Sequence, residues 1–147
     1  MKLIFDYFIA GTPAPQPRPR TFINKAGRSQ TISNSSNRIK QWKSELSAGF
    51  LQLKASEPHL HNITGALSLS LVFYMPQPKK GKKDALCHLN KPDLDNLTKA
   101  VKDVMEDCEI IMNDSQIWQY VEPFKKRWAV KGLGLNPGVH IRLFSED

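Results

Sequence analysis

The chain lacks the features that mark membrane and secreted proteins. Its 147 residues contain no apolar run near the roughly 20 residues that a membrane-spanning helix needs. Asp6 interrupts the apolar residues at the amino terminus before a signal-type core develops, so we expect no export. The two cysteines, Cys87 and Cys108, do not have the dense, even usage of a disulfide-bonded scaffold. These absences predict a cytoplasmic protein with reduced thiols and no membrane partner.

Several familiar site motifs are also missing. There is no glycine-rich phosphate loop and no GxSxG elbow, which argues against a nucleotide cofactor and serine esterase chemistry. Neither the cysteines nor His59, His61, His88 and His140 show zinc spacing. An EF-hand loop starting at Asp93 would need glycine at Thr98 and glutamate at Val104. The acidic-x-lysine triplet of the PD…(D/E)xK nucleases occurs nowhere in the chain.

Acidic residues are scarce in the first 90 positions. That part holds 13 Lys/Arg against 4 Asp/Glu, a net charge of +9, whereas residues 91–147 hold 8 against 10, a net charge of −2. Residues 16–44 contain seven basic side chains and no acidic one. This distribution favours a polyanionic partner such as nucleic acid, although a solvated basic surface explains the charge alone equally well.

Hydrophobic periodicity predicts a single domain over 1–147 with a mixed α/β (α+β) layer fold. Prolines at every second position fix φ and remove backbone donors, which predicts an extended basic Pro/Arg arm over 12–20. The lysine-rich segment 76–90 is expected to form a mobile basic loop. The other predicted elements are strands at 2–10, 66–75 (one face buried) and 139–144, a hairpin or loop at 21–33, helices at 37–56 and from Leu94 to near Cys108, and two short extended stretches within 117–130.

The stretch KPDLDNLTK, residues 91–99, carries the chemistry-bearing residues. If the chain is extended at Asp93 and helical from there on, the Asp93 and Asp95 side chains point the same way and can converge on one hard cation. A helix start explains the same residues more simply. An aspartate there caps the backbone, and Asp95 and Lys99 form an ordinary i, i+4 ion pair.

A third oxygen donor can come from Asn113-Asp114, between the second helix and the next extended stretch. Asn-Asp sequences also form polar turns without any ligand. Asp93, Asp95 and Asp114 together would make an oxygen-only set of ligands for one hard cation.

Three segments taken together resemble the RusA family of Holliday-junction resolvases. They are KPDLDNLTKAVKDVM, then NDSQI, whose Asp114 lies nineteen positions after Asp95, and PAPQPRPR near the start. The resemblance implies a small mixed sheet packed with two main helices, a homodimer, and a four-way DNA junction as substrate. It also implies that Asp93, Asp95 and Asp114 bind Mg²⁺ or Mn²⁺ and that Lys99 assists catalysis. Family members often carry Asp-Asp at the second acid site, where this chain has Asn113-Asp114.

The expected function is therefore a Mg²⁺-dependent crossover junction endodeoxyribonuclease. A metal-dependent nuclease for other branched or duplex DNA would use the same residues, and a non-catalytic DNA-binding module would use the basic arm alone. The expected DNA contacts lie on the arm and loops: Arg18, Arg20, Arg28, Lys79, Lys80, Lys82 and Lys83.

Overall fold

The fold is known from a computed structural model, which describes residues 1–17, 19–23, 25–33, 37–78 and 86–146. Within these residues, two helices and seven strands follow one another in the order β-β-β-α-β-α-β-β-β. Their bounds are β1 Lys2–Ala10, β2 Pro19–Ile23, β3 Ser29–Ser33, α1 Asn37–Ser56, β4 Leu67–Pro76, α2 Leu94–Asp107, β5 Ile117–Tyr120, β6 Lys125–Ala129 and β7 Gly138–Ser145. Short 3₁₀ turns cover Asp114–Gln116 and Lys131–Leu133.

Strand β4 is central in a five-stranded mixed sheet. It pairs antiparallel with β7, which pairs antiparallel with β1 at the edge. On its other side β4 pairs in parallel with β5 over its first half and with β6 over its second half. Strands β2 and β3 form a separate hairpin, which confirms the hairpin expected in 21–33 and starts it at Pro19.

Both predicted helices are present and bury their predicted stripes. In α1 the buried side chains are Ile39, Trp42, Leu46, Phe50 and Leu53, and in α2 they include Leu97, Val101, Val104 and Met105. These side chains share one apolar core with Leu67, Leu69, Leu71, Phe73 and Met75 of β4. The helices therefore cover one face of the sheet, as a period near 3.6 residues requires.

The prediction that β4 buries only one face was wrong. Ser68 and Ser70, on the face away from the helices, are also buried. The Ser70 hydroxyl donates to the carbonyl of Pro123 at 2.6 Å, and the Ser68 hydroxyl donates to Glu146. Small hydroxyl side chains with partners can be buried at little cost, so alternation of polar and apolar residues did not imply exposure here.

The arm and the basic loop are shorter than predicted. The arm was expected to reach residue 20, but Pro19 and Arg20 already belong to β2. The loop was expected over 76–90, but Pro76 is still part of β4. At its other end, Cys87 pairs with Arg127 in an isolated antiparallel β-bridge, and the amide of Trp128 donates to the Leu86 carbonyl at 2.9 Å. Residues 79–85 lie outside the described part of the chain. The whole is a single α+β domain with two helices on one mixed sheet, as predicted.

Candidate active site

The boundary of α2 falls where the sequence predicted it. Asp93 has φ −73° and ψ 150°, which is extended backbone, and the helix begins at the next residue. The Asp93 side chain makes no capping hydrogen bond and instead stands 3.8 Å from the Lys91 ammonium. Capping, the simplest explanation for an aspartate at this position, therefore does not account for the Asp93 carboxylate.

Asp95 lies in the first turn of α2 and is exposed. A negative side chain in the first turn is favoured by the positive end of the helix dipole. Asp95 also lines a cleft of about 560 Å³ beside this end of the helix. Its carboxylate is thus placed to meet a bound molecule as well as to start a helix.

Lys99 links the acid motif to the second acid site. Its ammonium lies 3.2 Å from a carboxylate oxygen of Asp103 and 3.8 Å from one of Asp114. The predicted pair with Asp95 is replaced by these two contacts, because Asp103 is one turn further along the helix and Asp114 approaches from outside it. Lys99 therefore joins α2 to a residue nineteen positions after Asp95.

The surroundings keep Lys99 charged. The hydrogen bond and charge of Asp103 raise the pKa of Lys99 above its usual value, against a partial loss of solvation, and Asp114 and Glu106 add to the increase. A lysine with a raised pKa does not serve as a general base near neutral pH. It is suited to hold an anionic group.

A capped turn positions Asp114. The Asn113 side-chain oxygen accepts a hydrogen bond from the Ser115 amide at 2.8 Å, and the Gln116 side-chain oxygen accepts from the Asn113 amide at 3.0 Å. The Gln116 amide group then donates to the carbonyls of Ile63 and Gly65, at 2.8 and 3.0 Å. Asn113, which stands where family members often have a first aspartate, has a structural role here.

The three predicted carboxylates do not form one cluster. Within the described ranges, no three His, Cys, Asp or Glu side chains are close enough together to hold a metal ion. Like-charged carboxylates repel, and both Asp93 and Asp114 lie beside a lysine. Their chemistry nevertheless suits Mg²⁺, since all three are partly or largely exposed and offer only oxygen. The ligand roles of Asp93, Asp95 and Asp114 stay a prediction.

Sequence reasoning missed the support beneath the acid motif. The Lys126 ammonium, on β6, donates to the carbonyl of Asn90 at 2.6 Å and to that of Pro92 at 2.8 Å. The buried His88 ring packs edge-on against Trp128, 4.3 Å between centroids. Burial lowers the pKa of His88, and the charge of Lys126 lowers it further. No local sequence pattern could reveal these contacts, because Lys126 and Trp128 reach residues 88–92 only through the position of β6 beside β4 in the sheet.

The basic arm reaches the acid motif. The Gln16 amide donates to the Asn96 carbonyl in the first turn of α2 at 3.1 Å. Gln16 and Pro17 line the cleft together with Asp95 and Lys99. The arm and the second helix, which the sequence could only describe separately, therefore form one site.

The predicted DNA contacts are only partly described. Arg28 is exposed in the turn between β2 and β3, and Arg20 lies in β2 with its side chain outside the described part. Arg18, Lys79, Lys80, Lys82 and Lys83 also lie outside the described residues. These assignments stay predictions. Lys102, which the sequence reasoning did not select, lines the cleft beside Lys99.

Among the described residues, no helix is both long and apolar enough to cross a membrane.

Comparisons with known proteins identify the family of the chain. A family model described as endodeoxyribonuclease RusA matches residues 10–143, a range that includes the arm, both acid sites and most of the sheet. The chain is also similar to a protein of Bacillus subtilis (strain 168) named "Uncharacterized protein YqaN", with 30% identity over 122 residues that cover 76% of this chain and 80% of that protein. The extent of the family match is decisive: this chain belongs to the RusA endodeoxyribonuclease family.

Proposed function

We propose that this protein is a Mg²⁺-dependent, structure-selective endodeoxyribonuclease that resolves Holliday junctions by paired symmetric nicks. The observation that carries the proposal is the arrangement at the start of α2. Asp93 lies just outside the helix with its carboxylate unused for capping, and Lys99 on the same helix reaches Asp114. A helix start alone requires neither feature.

Asp93, Asp95 and Asp114 would hold the metal ion, with Mn²⁺ as an alternative to Mg²⁺. A bound divalent ion would activate water for attack on a phosphodiester and stabilise the charge that develops. The proposal requires Asp93 and Asp114 to exchange their present lysine partners for a cation. Exposed ion pairs of this kind are worth only about 0–1 kcal/mol, so the exchange is cheap.

Lys99 would contribute a fixed positive charge. Since its pKa is raised, the ammonium is present throughout the neutral range. Its contact with Asp114 puts it beside one of the proposed ligands, where a scissile phosphate would also lie. We infer that it neutralises the phosphate oxygens as the transition state forms, and that Asp103 holds it in place when DNA is absent.

The charge distribution would bring the substrate to this acidic site. The first 90 residues carry a net charge of +9, and the arm from that part reaches α2 through Gln16. Arg18, Arg20, Arg28, Lys79, Lys80, Lys82 and Lys83 are the proposed contacts to DNA phosphates. Two symmetric nicks require two active sites, which a two-fold homodimer provides. The proposed setting is the cytoplasm, where the free Cys87 and Cys108 would stay reduced.

Cleavage of a synthetic four-way junction tests the proposal. The wild-type protein should nick two opposite strands in Mg²⁺ and none in EDTA. Asp95→Asn should bind the junction and fail to cut it, because the amide keeps the size of the side chain and loses its charge. Asp107→Asn is the matched control, an exposed aspartate at the far end of the same helix, and should cut at close to the wild-type rate.

The outcomes separate the alternatives. Cleavage by Asp95→Asn at the wild-type rate would disprove the catalytic role of the acid motif. If the wild-type protein binds junctions but cuts no DNA with Mg²⁺ or Mn²⁺, it is a DNA-binding module. If unlabelled flap or duplex DNA competes as well as the junction, the enzyme is a nuclease without selectivity for four-way junctions.

A further inference from the structure

The cleft beside the acid motif is lined by residues of different chemistry. Asp95, Lys99 and Lys102 of α2 supply charged groups, and Tyr120 and Phe124 supply aromatic rings. Gln16 and Pro17 of the arm also line it. A volume of about 560 Å³ lies within the range of small-molecule sites. The cleft is therefore large enough for one nucleotide. Its aromatic rings could contact a base, and its lysines could contact a phosphate.

The two rings form an ordered stack. Their centroids are 4.4 Å apart and their planes differ by only 5°. The Lys102 ammonium lies 5.6 Å from the centre of the Tyr120 ring, within the range of a cation–π contact. The cleft therefore contains a pair of stacked aromatic rings and, beside them, a lysine ammonium.

The backbone explains why the stack is exposed at the surface. Along β5 the side chains alternate, with Ile117 and Gln119 partly buried and Trp118 and Tyr120 exposed. The segment after β5 is held to the sheet, because the Val121 amide donates to the Leu69 carbonyl at 3.0 Å and Ser70 donates to Pro123. Phe124 follows this anchored segment. Tyr120 ends a strand of the sheet, and the short connection that carries Phe124 is anchored to the sheet by these two hydrogen bonds.

A stack of aromatic rings next to lysines suits one chemical class of ligand in particular. Nucleobases have flat π faces, and base–aromatic stacking is worth about 1–3 kcal/mol per base. Bases inside a duplex are already stacked on their neighbours, whereas bases at a point where strands exchange can be unpaired. We propose that this cleft binds an unpaired base of branched DNA, stacked on Tyr120–Phe124, with the adjoining phosphate near Lys102.

This inference rests on the proposed function and adds a source of selectivity to it. A base held on the platform would set which phosphate lies beside Asp95 and Lys99, because these residues line the same cleft. Tyr120 and Phe124 would then be positioning residues and would take no part in the chemistry. Their loss should weaken binding of DNA with unpaired bases more than binding of duplex DNA.

Fluorescence of 2-aminopurine tests the proposal without any cleavage. The probe base is placed at the crossover of a four-way junction, and the full-length protein is added in EDTA. Stacking on the platform should quench the fluorescence beyond the level in free junction. Tyr120→Ala should abolish the added quenching and raise Kd about 5- to 150-fold, which corresponds to the loss of one base–aromatic stack. Tyr120→Phe, which keeps the ring, should behave as the wild type.

Trp118→Ala is the matched control. Trp118 is on the same strand and is 61% exposed, but it does not line the cleft. It should keep both the quenching and the affinity. Equal loss in Trp118→Ala and Tyr120→Ala would overturn the proposal, as would unchanged quenching in Tyr120→Ala. Thermal unfolding checks that Tyr120→Ala is folded, and Tyr120→Leu serves as a second ring-free variant if it is not.

Failure of this inference can be told from failure of the proposed function. If the wild type cuts the junction but never quenches the probe, only the stacking proposal is wrong. If the wild type quenches the probe through Tyr120 but cuts no branched DNA, the platform stands and the nuclease proposal falls.

Discussion

Helices α1 and α2 bury similar apolar stripes against the same face of the sheet, yet their exposed faces differ. Residues 37–56 of α1 carry four basic side chains and one acidic one, a net charge of +3, whereas residues 94–107 of α2 carry two basic and four acidic ones, a net charge of −2. The Lys54 ammonium of α1 donates to the carbonyl of Cys108, just past the end of α2, at 2.8 Å. The first helix thus supports the second, and the amino-terminal end of α2 opens on the cleft.

The two helices are alike in the side chains that pack the core and differ in the side chains that carry the proposed function. The apolar stripe of each helix specifies its packing, and the two stripes are of the same kind. The groups that distinguish α2 are on its other face and at its start, and residues from other parts of the chain hold them. Changes to the stripes should affect both helices alike, and changes to the exposed groups should affect them differently.

The largest expected effect tests what the helices share. Leu46 in α1 and Leu97 in α2 are both fully buried. Leu46→Ala and Leu97→Ala should each lower the free energy of unfolding by about 2–5 kcal/mol, measured by urea denaturation. Leu51→Ala, at an exposed position of α1, should change it far less. A small loss for Leu97→Ala alone would mean that α2 does not share the core of α1.

The next effect tests what separates the helices. Lys99→Met should slow junction cleavage at saturating DNA by about 10²–10³-fold, as expected for loss of one group that stabilises transition-state charge. Lys40→Met removes an exposed lysine from α1 and should cut at close to the wild-type rate under the same conditions. If Lys99→Met and Lys40→Met cut at the same rate, α2 does not differ from α1 in carrying a catalytic lysine.

The helices themselves could be predicted from sequence because their signals are local. Apolar residues spaced by three and four define a stripe whatever surrounds it, and Pro92 disfavours helical backbone at the residue before it, which limits how early α2 can begin. The same local logic failed for β4, where Ser68 and Ser70 are buried because residues far along the chain cover them. Alternation shows which residues share a face, but it does not show what lies above that face.

The candidate site was predictable in its members and less so in its contacts. Asp93, Asp95, Lys99 and Asp114 stand out by type and spacing. That Lys99 reaches Asp114, or that Lys126 binds the segment before Asp93, follows only from the tertiary structure. Lysine side chains are long and flexible, so several carboxylates lie within reach of each. The choice among them depends on chain crossings that a sequence pattern does not encode.

A third prediction concerns support from outside the helix. Lys126→Met removes the charged donor to the carbonyls of Asn90 and Pro92. We expect a loss of about 1–3 kcal/mol in stability and slower cleavage, because Asp93 would no longer be held at the start of α2. Lys125→Met changes the exposed neighbour on the same strand and should have little effect on either measurement. If both variants cut at the same rate, the two hydrogen bonds donated by Lys126 do not position the acid motif.

The smallest effect concerns the pair that holds Lys99 on the surface of α2. Asp103→Asn should cost about 0.2–0.5 kcal/mol of stability at neutral pH and low salt, the usual value of an exposed i, i+4 pair. Because the pKa of Lys99 is raised in the folded protein, this contribution should be fully present below the ordinary lysine pKa of 10.5 and should vanish as the pH rises through the higher pKa of the folded protein. Urea denaturation of wild type and variant between pH 7 and 11 measures the difference. A difference that persists or grows at high pH would mean that Asp103 stabilises α2 by something other than the charge of Lys99.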